Sequence, residues 1–164
     1  MKTLAGLLLV LAVVAPASAA NLIVNGDWNA GETGWTRWNS PWAGGTYSWN
    51  VDGAAAGNPA PAGHLQINGG QASFGWVQGI EVVPGTSYTL TADWTGSNVQ
   101  WCEVLFFNDD GRGVYDQLDA PVGGAIIAKH SDTSNPTFGW QPITTAPYQL
   151  APNTIVATGS MTSG

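Results

Sequence analysis

Three carboxylates on predicted strands are the residues of this sequence best suited to acid–base chemistry. Glu81, Asp93 and Glu103 all lie in segments with strand character and could converge. A pair of carboxylates flanking a glycosidic bond is what most glycoside hydrolases require. Glu81, however, directly precedes Val82 and a turn, so a solvated strand residue is the simpler interpretation of its position.

Nucleophilic and metal chemistry have less support. His64 and His130 are the only histidines, and they are far apart without metal-ligand spacing. The chain has no Gly-x-Ser-x-Gly motif and no phosphate-binding loop. Its single cysteine, Cys102, is predicted to be a small buried residue on a strand. These patterns predict a protein that is not an enzyme.

Aromatic side chains offer a different chemistry, because the chain contains nine tryptophans and only 9% charged residues. Aromatic faces supply apolar contact area with few rotamers to freeze, which suits the flat faces of sugars. Trp38, Trp42 and Trp49 lie in an irregular stretch rich in glycine and proline, residues 31–61, and Arg37 beside them could bond hydroxyl groups. The alternative is a loop that folds these indoles back over the core.

A second candidate pair lies on a predicted strand. If Cys102 and Val104 face the core, Trp101 and Glu103 share the opposite face and could stack on a sugar and bind its hydroxyls. In the opposite register, Trp101 faces the core, and the charged side chain of Glu103 would be buried on the same face.

Other tryptophans are predicted to be structural. Trp76 and Gln78 share a face with Ile80, which favours the core for Trp76, while Gln78 is kept as a candidate ligand contact. Trp94 shares the face of Leu90 and is also predicted to lie in the core.

The elements that must position these residues are short strands separated by turn residues about every ten positions, a pattern typical of a sandwich or barrel. Ser87–Thr95 is the clearest, because apolar and polar residues alternate along it. The predicted strands are Asn21–Val24, His64–Asn68, Ser73–Val82, Ser87–Thr95, Trp101–Phe107, Val114–Leu118, an interrupted Trp140–Leu150 and Thr154–Met161.

The first residues predict export. Lys2 precedes the apolar run Leu4–Val14 and the small residues Ala17-Ser18-Ala19, so residues 1–19 are predicted to be a cleavable secretory signal. Residues 20–164 then form one domain. The formal net charge of −7 argues against nucleic acid and anionic membranes as partners.

Several motifs, in order, resemble one family. Asn21–Trp35 (Asn-Leu-Ile-Val-Asn-Gly-Asp-Trp-Asn, then Gly-Trp) is similar to the opening of the jelly-roll carbohydrate-binding modules of bacterial xylanases and cellulases, families four, nine, sixteen and twenty-two. Trp76–Leu90 resembles that family's strand, Pro-Gly turn and Tyr-Thr-Leu strand. Phe106–Gly111 resembles its Asp-x-x-Gly hairpin, and Gly139-Trp140 with Ala151–Asn153 its late strand.

The resemblance implies a galactose-binding-like fold, a two-sheet antiparallel β-sandwich. It also implies secreted, non-catalytic binding of a neutral polysaccharide such as xylan or β-glucan, which places an attached or partner glycoside hydrolase on its substrate. Trp28, Trp35 and Trp140 then hold structural positions. Two alternatives remain: a structural or adhesive surface protein with the same fold and no sugar affinity, and a small glycan-cleaving enzyme.

The chain departs from the family pattern at two places. Asn29 stands where the family has an acidic residue, so a structural calcium at Asp27 and Asn29 would receive only a neutral carbonyl from Asn29. The family's final Asp-bearing strand is missing after residue 164, which predicts a truncated sandwich. We therefore expect no cofactor to be required.

Overall fold

The computed structural model describes residues 20–52, 61–98, 101–119, 129–131, 137–144, 147–149 and 154–158. The predicted export segment, residues 1–19, lies outside them. The described residues form eleven strands and one short helix, and every strand pairing among them is antiparallel. The all-β prediction is therefore confirmed.

The strands and the helix follow one another along the chain in a simple order. They are β1 (Thr36–Asn39), β2 (Thr46–Asp52), β3 (Ala62–Asn68), β4 (Phe74–Gly79), β5 (Ser87–Tyr88), β6 (Thr91–Gly96), β7 (Trp101–Asn108), α1 (Val114–Asp119), β8 (Lys129–Ser131), β9 (Phe138–Thr144), β10 (Tyr148–Gln149) and β11 (Thr154–Thr158).

Within the described residues, five strands form the largest sheet, in the order β1-β4-β11-β7-β8. The other strands pair as β2–β3, β6–β9 and β5–β10. No helix in the described part of the chain is long and apolar enough to cross a membrane.

Strand β4 is covered on both faces, because the five consecutive residues Phe74 to Gln78 are all buried. The register places Arg37 opposite Trp76 and Trp38 opposite Gly75. Directly paired residues of antiparallel strands lie on the same side of a sheet. Arg37 therefore shares a face with Trp76, which we call the inner face, and Trp38 lies on the outer face.

The aliphatic core lies on the inner face. Ile80, Leu90 and Val104 are buried together, and half-buried residues of the neighbouring elements pack against them. These half-buried residues are Leu22, Ile23, Val82, Tyr88, Ala92, Trp94 and Ile143. The alternation predicted for residues 87–95 is confirmed, since Thr89, Thr91, Asp93 and Thr95 are exposed. Trp76 is buried as predicted, whereas Trp94 is only half-buried.

Two parts of the chain differ from the predicted elements. Residues 36–39 and 46–52 are strands rather than irregular loop, because aromatic and β-branched residues fit a pleated, half-buried surface. Residues 114–119 are helical rather than a returning strand. There the Gln117 side chain donates to the Arg112 carbonyl at 2.7 Å and to Asp109 Oδ1 at 2.9 Å, which ties the helix to its own preceding loop.

The predicted first strand is also absent: Asn21–Val24 is not in a strand. The Gln78 side chain holds it instead, accepting from Val24 N at 2.7 Å and donating to Val24 O at 3.0 Å. Gln78 also donates to Gly34 O at 2.8 Å. These contacts use both amide hydrogens of a buried side chain, so the role we find for Gln78 is to fasten the N-terminal segment to β4.

Glycines close the open end of the β2–β3 hairpin. Gly45 precedes β2 and has φ +87°, and Gly70 follows β3 with φ +79°. A Cβ built on Gly70 would lie 2.7 Å from both Gly44 O and Gly45 Cα. The two backbone segments therefore meet at a distance that only glycine allows.

Candidate functional site

Asn25 organises the loop that precedes β1. Its side-chain amide donates to Gly31 O at 2.8 Å and to Thr33 O at 3.0 Å, and its Oδ1 accepts from Ala30 N at 2.9 Å. Its backbone oxygen accepts from the indole N–H of Trp35 at 3.2 Å. Asparagine suits this position because its backbone is left-handed, with φ +52°. These hydrogen bonds hold the loop in one shape.

Trp28 is enclosed within this loop. Its ring stacks on Trp35 with centroids 5.1 Å apart and planes 12° from parallel, and it meets Trp76 at 4.8 Å. A Cβ on Gly63 would lie 2.7 Å from Trp28 Cζ2, so β3 presses its backbone against the ring. Trp28 also has φ +57°, which is uncommon for a bulky residue. Packing on several sides agrees with the structural role expected for Trp28, although it is half-buried rather than fully buried.

Glu32 connects the loop to the sheet. Its carboxylate accepts from Arg37 Nε at 2.9 Å and from Arg37 Nη2 at 2.8 Å, which is a bidentate pair. Its Oε1 also accepts from the indole N–H of Trp76 at 3.2 Å. One carboxylate therefore holds both a surface arginine and a buried tryptophan.

Arg37 in turn lies over Trp49 of β2, with its guanidinium carbon 5.3 Å from the ring centroid. Trp49 is half-buried and its indole N–H donates to Gly75 O at 2.8 Å. Tyr47 and Phe74 contact the same ring at centroid distances of 5.4 and 5.2 Å. We call Glu32, Arg37 and Trp49 the Arg37 surface.

The Arg37 surface combines an indole with fixed polar groups. A cation over an aromatic face is attracted by the ring and restricts the positions of both side chains. Arg37 is exposed, and the Glu32 carboxylate cancels its charge locally. The surface can therefore present hydrogen-bond donors and acceptors beside an aromatic ring with little net charge.

Trp38 is separated from this surface. We predicted it in an irregular loop beside Arg37, but it lies on β1 and only 7% of it is exposed. Its position on the outer face follows from the alternation of side chains along a strand. Among the described residues, nothing accepts a hydrogen bond from its indole N–H. In this structure Trp38 is a buried residue, not a displayed platform.

Glu103 of the predicted Trp101–Glu103 pair is also not displayed. Val104 faces the core, as in the register that we favoured, but Glu103 is only 1% exposed and cannot meet a ligand at the surface. The prediction of an accessible Glu103 is therefore wrong, because consecutive buried residues Cys102 to Val104 show that β7 is covered on both faces at this point. The side chain of Trp101 lies outside the described residues.

Cys102 is buried as predicted, and its chemistry follows from that. Burial, with a smaller contribution from the charge of Glu103, raises the pKa of the thiol to about 11. Thiolate is the reactive form of cysteine, so this cysteine is suited to packing rather than catalysis.

We expect the Cys102 thiol of the folded protein to react with a disulfide-exchange reagent at pH 8 at least about a hundredfold more slowly than in the unfolded chain, since only about one thiol in a thousand is ionised at that pH. The folded state also holds this proton more tightly, so stability should fall as the pH rises from 9.0 towards about 11. Thiol release followed by absorbance measures the rates, and Cys102→Ala is the blank. Equal rates in native buffer and in guanidinium would contradict a buried thiol.

The predicted calcium ligands contact each other. Asn29 Nδ2 donates to Asp27 Oδ2 at 2.6 Å in an exposed turn. In the described parts of the chain, no group of three or more His, Cys, Asp or Glu side chains is placed to hold a metal ion. The expectation that no cofactor is required stays a prediction, with Asp27 and Asn29 as the residues that a structural calcium would use.

The three carboxylates considered for catalysis differ in burial, since Glu81 and Asp93 are exposed and Glu103 is buried. His64 is also exposed, and its Nδ1 lies 2.5 Å from Asp52 Oδ2 on the polar side of the β2–β3 pair. Asp52 and His64 therefore form an exposed carboxylate–imidazole pair on β2–β3, separate from Asp93 on β6 and from the buried Glu103 on β7.

Arg37 and Trp49, both candidates from the sequence, lie together, whereas their partner Glu32 was not predicted. A glutamate in a Gly-Glu-Thr-Gly turn carries no pattern that points to a partner, and only the folded loop brings it to Arg37. Trp42, the third tryptophan of the predicted set, is exposed in the turn after β1.

Comparisons with models of known protein families, with characterised proteins and with solved structures find no match to this chain. The resemblance to carbohydrate-binding modules therefore rests on the sequence motifs alone.

Proposed function

We propose that this protein is an exported, non-catalytic carbohydrate-binding protein that recognises a neutral polysaccharide such as xylan or β-glucan. One observation carries the proposal: Arg37 lies over the half-buried Trp49 ring while Glu32 holds its guanidinium. Such a protein places a glycoside hydrolase, attached or in a partner chain, on its polymeric substrate.

The chemistry of the Arg37 surface supports this class of ligand. A sugar ring offers an apolar face for the indole and hydroxyl groups for the arginine and the carboxylate. The internal ion pair removes the net positive charge that an anionic ligand would need, and the chain as a whole carries −7. Neutral sugars are therefore favoured over phosphates or acidic polymers.

We further propose that the strands form a two-sheet β-sandwich of the jelly-roll type. In support, the core joins Val104 of the five-stranded sheet to residues of β6 and β9 such as Trp94 and Ile143. Packing of one sheet against further strands across an apolar layer is the arrangement of a sandwich.

A glycan-cleaving enzyme is less well supported. Glu103, which was predicted to act beside Trp101, is buried, and Asp93 is exposed on a different strand pair. Glycosidases need two carboxyl groups that flank one bond.

The proposal is tested by Arg37→Ala, for which we expect at least about tenfold weaker binding to the recognised glycan, equivalent to about 1.4 kcal/mol. The variant lacks the guanidinium that would bond sugar hydroxyls. It also lacks the cation–π contact that restricts the position of the Trp49 ring. Calorimetry against soluble xylan, β-glucan and mannan, with a pull-down on cellulose, supplies the measurement. Trp49→Phe keeps an aromatic face and should retain part of the affinity.

Arg112→Ala is the matched control. Arg112 forms a similar exposed pair with Asp110, at 2.7 Å, and its hydrogen bonds lower the pKa of Asp110. Arg112 lies in the loop before α1 and is not part of the Arg37 surface, so its removal should leave glycan binding unchanged. If the native protein binds no glycan on the panel, the proposal fails and a structural or adhesive role takes its place. Equal losses of affinity in Arg37→Ala and Arg112→Ala would mean that the net charge of the protein, and not the Arg37 surface, is responsible.

A further inference from the structure

Trp42 is an exposed tryptophan held on a rigid turn. It is 44% exposed and lies in the turn Ser40 to Ala43, which closes with a hydrogen bond from Ala43 N to Ser40 O at 3.1 Å. Pro41 occupies the second position of this turn and fixes its backbone. An exposed indole on a turn of this kind is displayed at little cost in conformational entropy on binding.

The ends of the turn are clamped to the segment before β4. Ser40 is fully buried, its N–H donates to Ser73 O at 2.7 Å, and its Oγ accepts from Ser73 N at 3.2 Å. On the other side, Gly44 N donates to Gln71 O at 2.7 Å. These hydrogen bonds therefore fix the base of the turn while its tip faces solvent.

A second element steadies the indole itself. Tyr115 of helix α1 meets the Trp42 ring edge-to-face, with centroids 5.8 Å apart and planes 82° from parallel. An edge-to-face contact involves only one of the two faces of an indole at most. At least one face of Trp42 is thus left without an aromatic neighbour among the described residues.

Two residues next to the clamped turn carry neutral amides. They are Asn39, which precedes Ser40, and Gln71, whose backbone oxygen accepts from Gly44 N, and both are exposed. The side-chain amide of Asn39 donates one hydrogen bond to Ser40 O, at 3.0 Å, and its Oδ1 remains available to a ligand. An exposed indole near neutral amides is suited to a sugar ring and its hydroxyl groups.

The Trp42 turn and the Arg37 surface have different aromatic partners. Trp49 contacts Tyr47, Phe74 and Arg37, whereas Trp42 contacts Tyr115, so the two indoles share no ring partner in the described residues. We propose that the Trp42 turn is a second binding site for a neutral sugar ring, so that one chain holds two stretches of polysaccharide. This proposal rests on the carbohydrate-binding function proposed above.

Two sites on one chain have a measurable consequence. Once one site holds a polymer, the second site meets the same or a neighbouring polymer at a high local concentration. The protein should therefore bind polysaccharide more tightly than short oligosaccharide, without any new contact.

The number of sites is tested by calorimetry with xylotetraose and cellotetraose on the full chain. We expect a stoichiometry of two oligosaccharides per native chain, and of one in both Trp42→Ala and Trp49→Ala. In the Trp49→Ala variant, the indole N–H resonance of Trp42, assigned by its loss in Trp42→Phe, should still shift on titration. Val83→Ala removes an even more exposed apolar side chain, 64% exposed, and should leave the stoichiometry at two.

The possible failures are distinguishable. Absence of oligosaccharide and polysaccharide binding by the native chain would end the proposed function and this inference together. A native stoichiometry of one, lost in Trp49→Ala and intact in Trp42→Ala, would leave the proposed function standing and overturn the second site. A weaker affinity in Trp42→Ala with no change in stoichiometry would also overturn it, since Trp42 would then belong to the first site.

Discussion

Gly45→Ala is expected to destabilise the protein by about 2–5 kcal/mol. The backbone at Gly45 has φ +87°, where an alanine costs about 1–2 kcal/mol. The new Cβ would also overlap the carbonyl oxygen of Gly69 and lie 2.8 Å from its carbon, and such overpacking adds about 1–3 kcal/mol. Chemical denaturation followed by tryptophan fluorescence gives the free energy of unfolding.

Gly69→Ala is the matched control for this prediction. Gly69 also has a positive φ, +71°, but no atom lies within 4 Å of a Cβ built there. Gly69→Ala should therefore lower the free energy of unfolding only by the cost of the positive φ, about 1–2 kcal/mol. Equal destabilisation of both variants would mean that the close approach of the two glycine segments contributes nothing to the steric cost, contrary to this prediction.

Phe74→Ala is expected to lower the free energy of unfolding by about 3–5 kcal/mol, the usual cost of removing a buried aromatic ring. Phe74 is fully buried, and its ring contacts Tyr47 at 5.0 Å and Trp49 at 5.2 Å. The cavity would lie directly beneath the Arg37 surface. Since a domain is stable by only about 5–15 kcal/mol, the thermal midpoint should fall by roughly 10 °C or more.

Phe138→Ala makes the same substitution at a half-buried position, where the ring contacts Trp94 at 5.4 Å. Less buried area is lost there, so the cost should be about 1–2 kcal/mol.

Phe74→Leu keeps most of the volume and allows glycan binding to be measured if Phe74→Ala does not fold. Similar losses at both positions would argue against a core centred on β4.

Burial patterns along single strands were predictable from the sequence. The alternation in residues 87–95 depends only on side-chain period, so it placed Leu90 in the core correctly, and the apolar neighbours of Trp76 did the same for β4. The tandem aromatics of Tyr47 and Trp49 carried a similar alternating signal. The surrounding glycines and prolines obscured it, and β2 was expected to be irregular.

Properties that depend on a second layer were not predictable. Glu103 was placed on the correct side of β7, yet nothing in its neighbours along the chain shows that this side is covered. Helix α1 likewise forms where Gln117 finds partners on its preceding loop, against the strand propensity of Val114 and Tyr115. The partnership of Glu32 with Arg37 and Trp76 joins three separate segments, and only the folded chain brings them together.

The position of Arg37 has a consequence for self-association. Strand β1 is at one edge of the five-stranded sheet in the described residues, and an open edge is a template on which another chain can add a strand. This edge is only four residues long, and Arg37 places a charge on its inner face, held there by Glu32. A strand arriving at this edge would have to bury that ion pair. We therefore expect the arginine that we assign to sugar binding also to disfavour strand addition at this edge, which restricts the residues that can replace it.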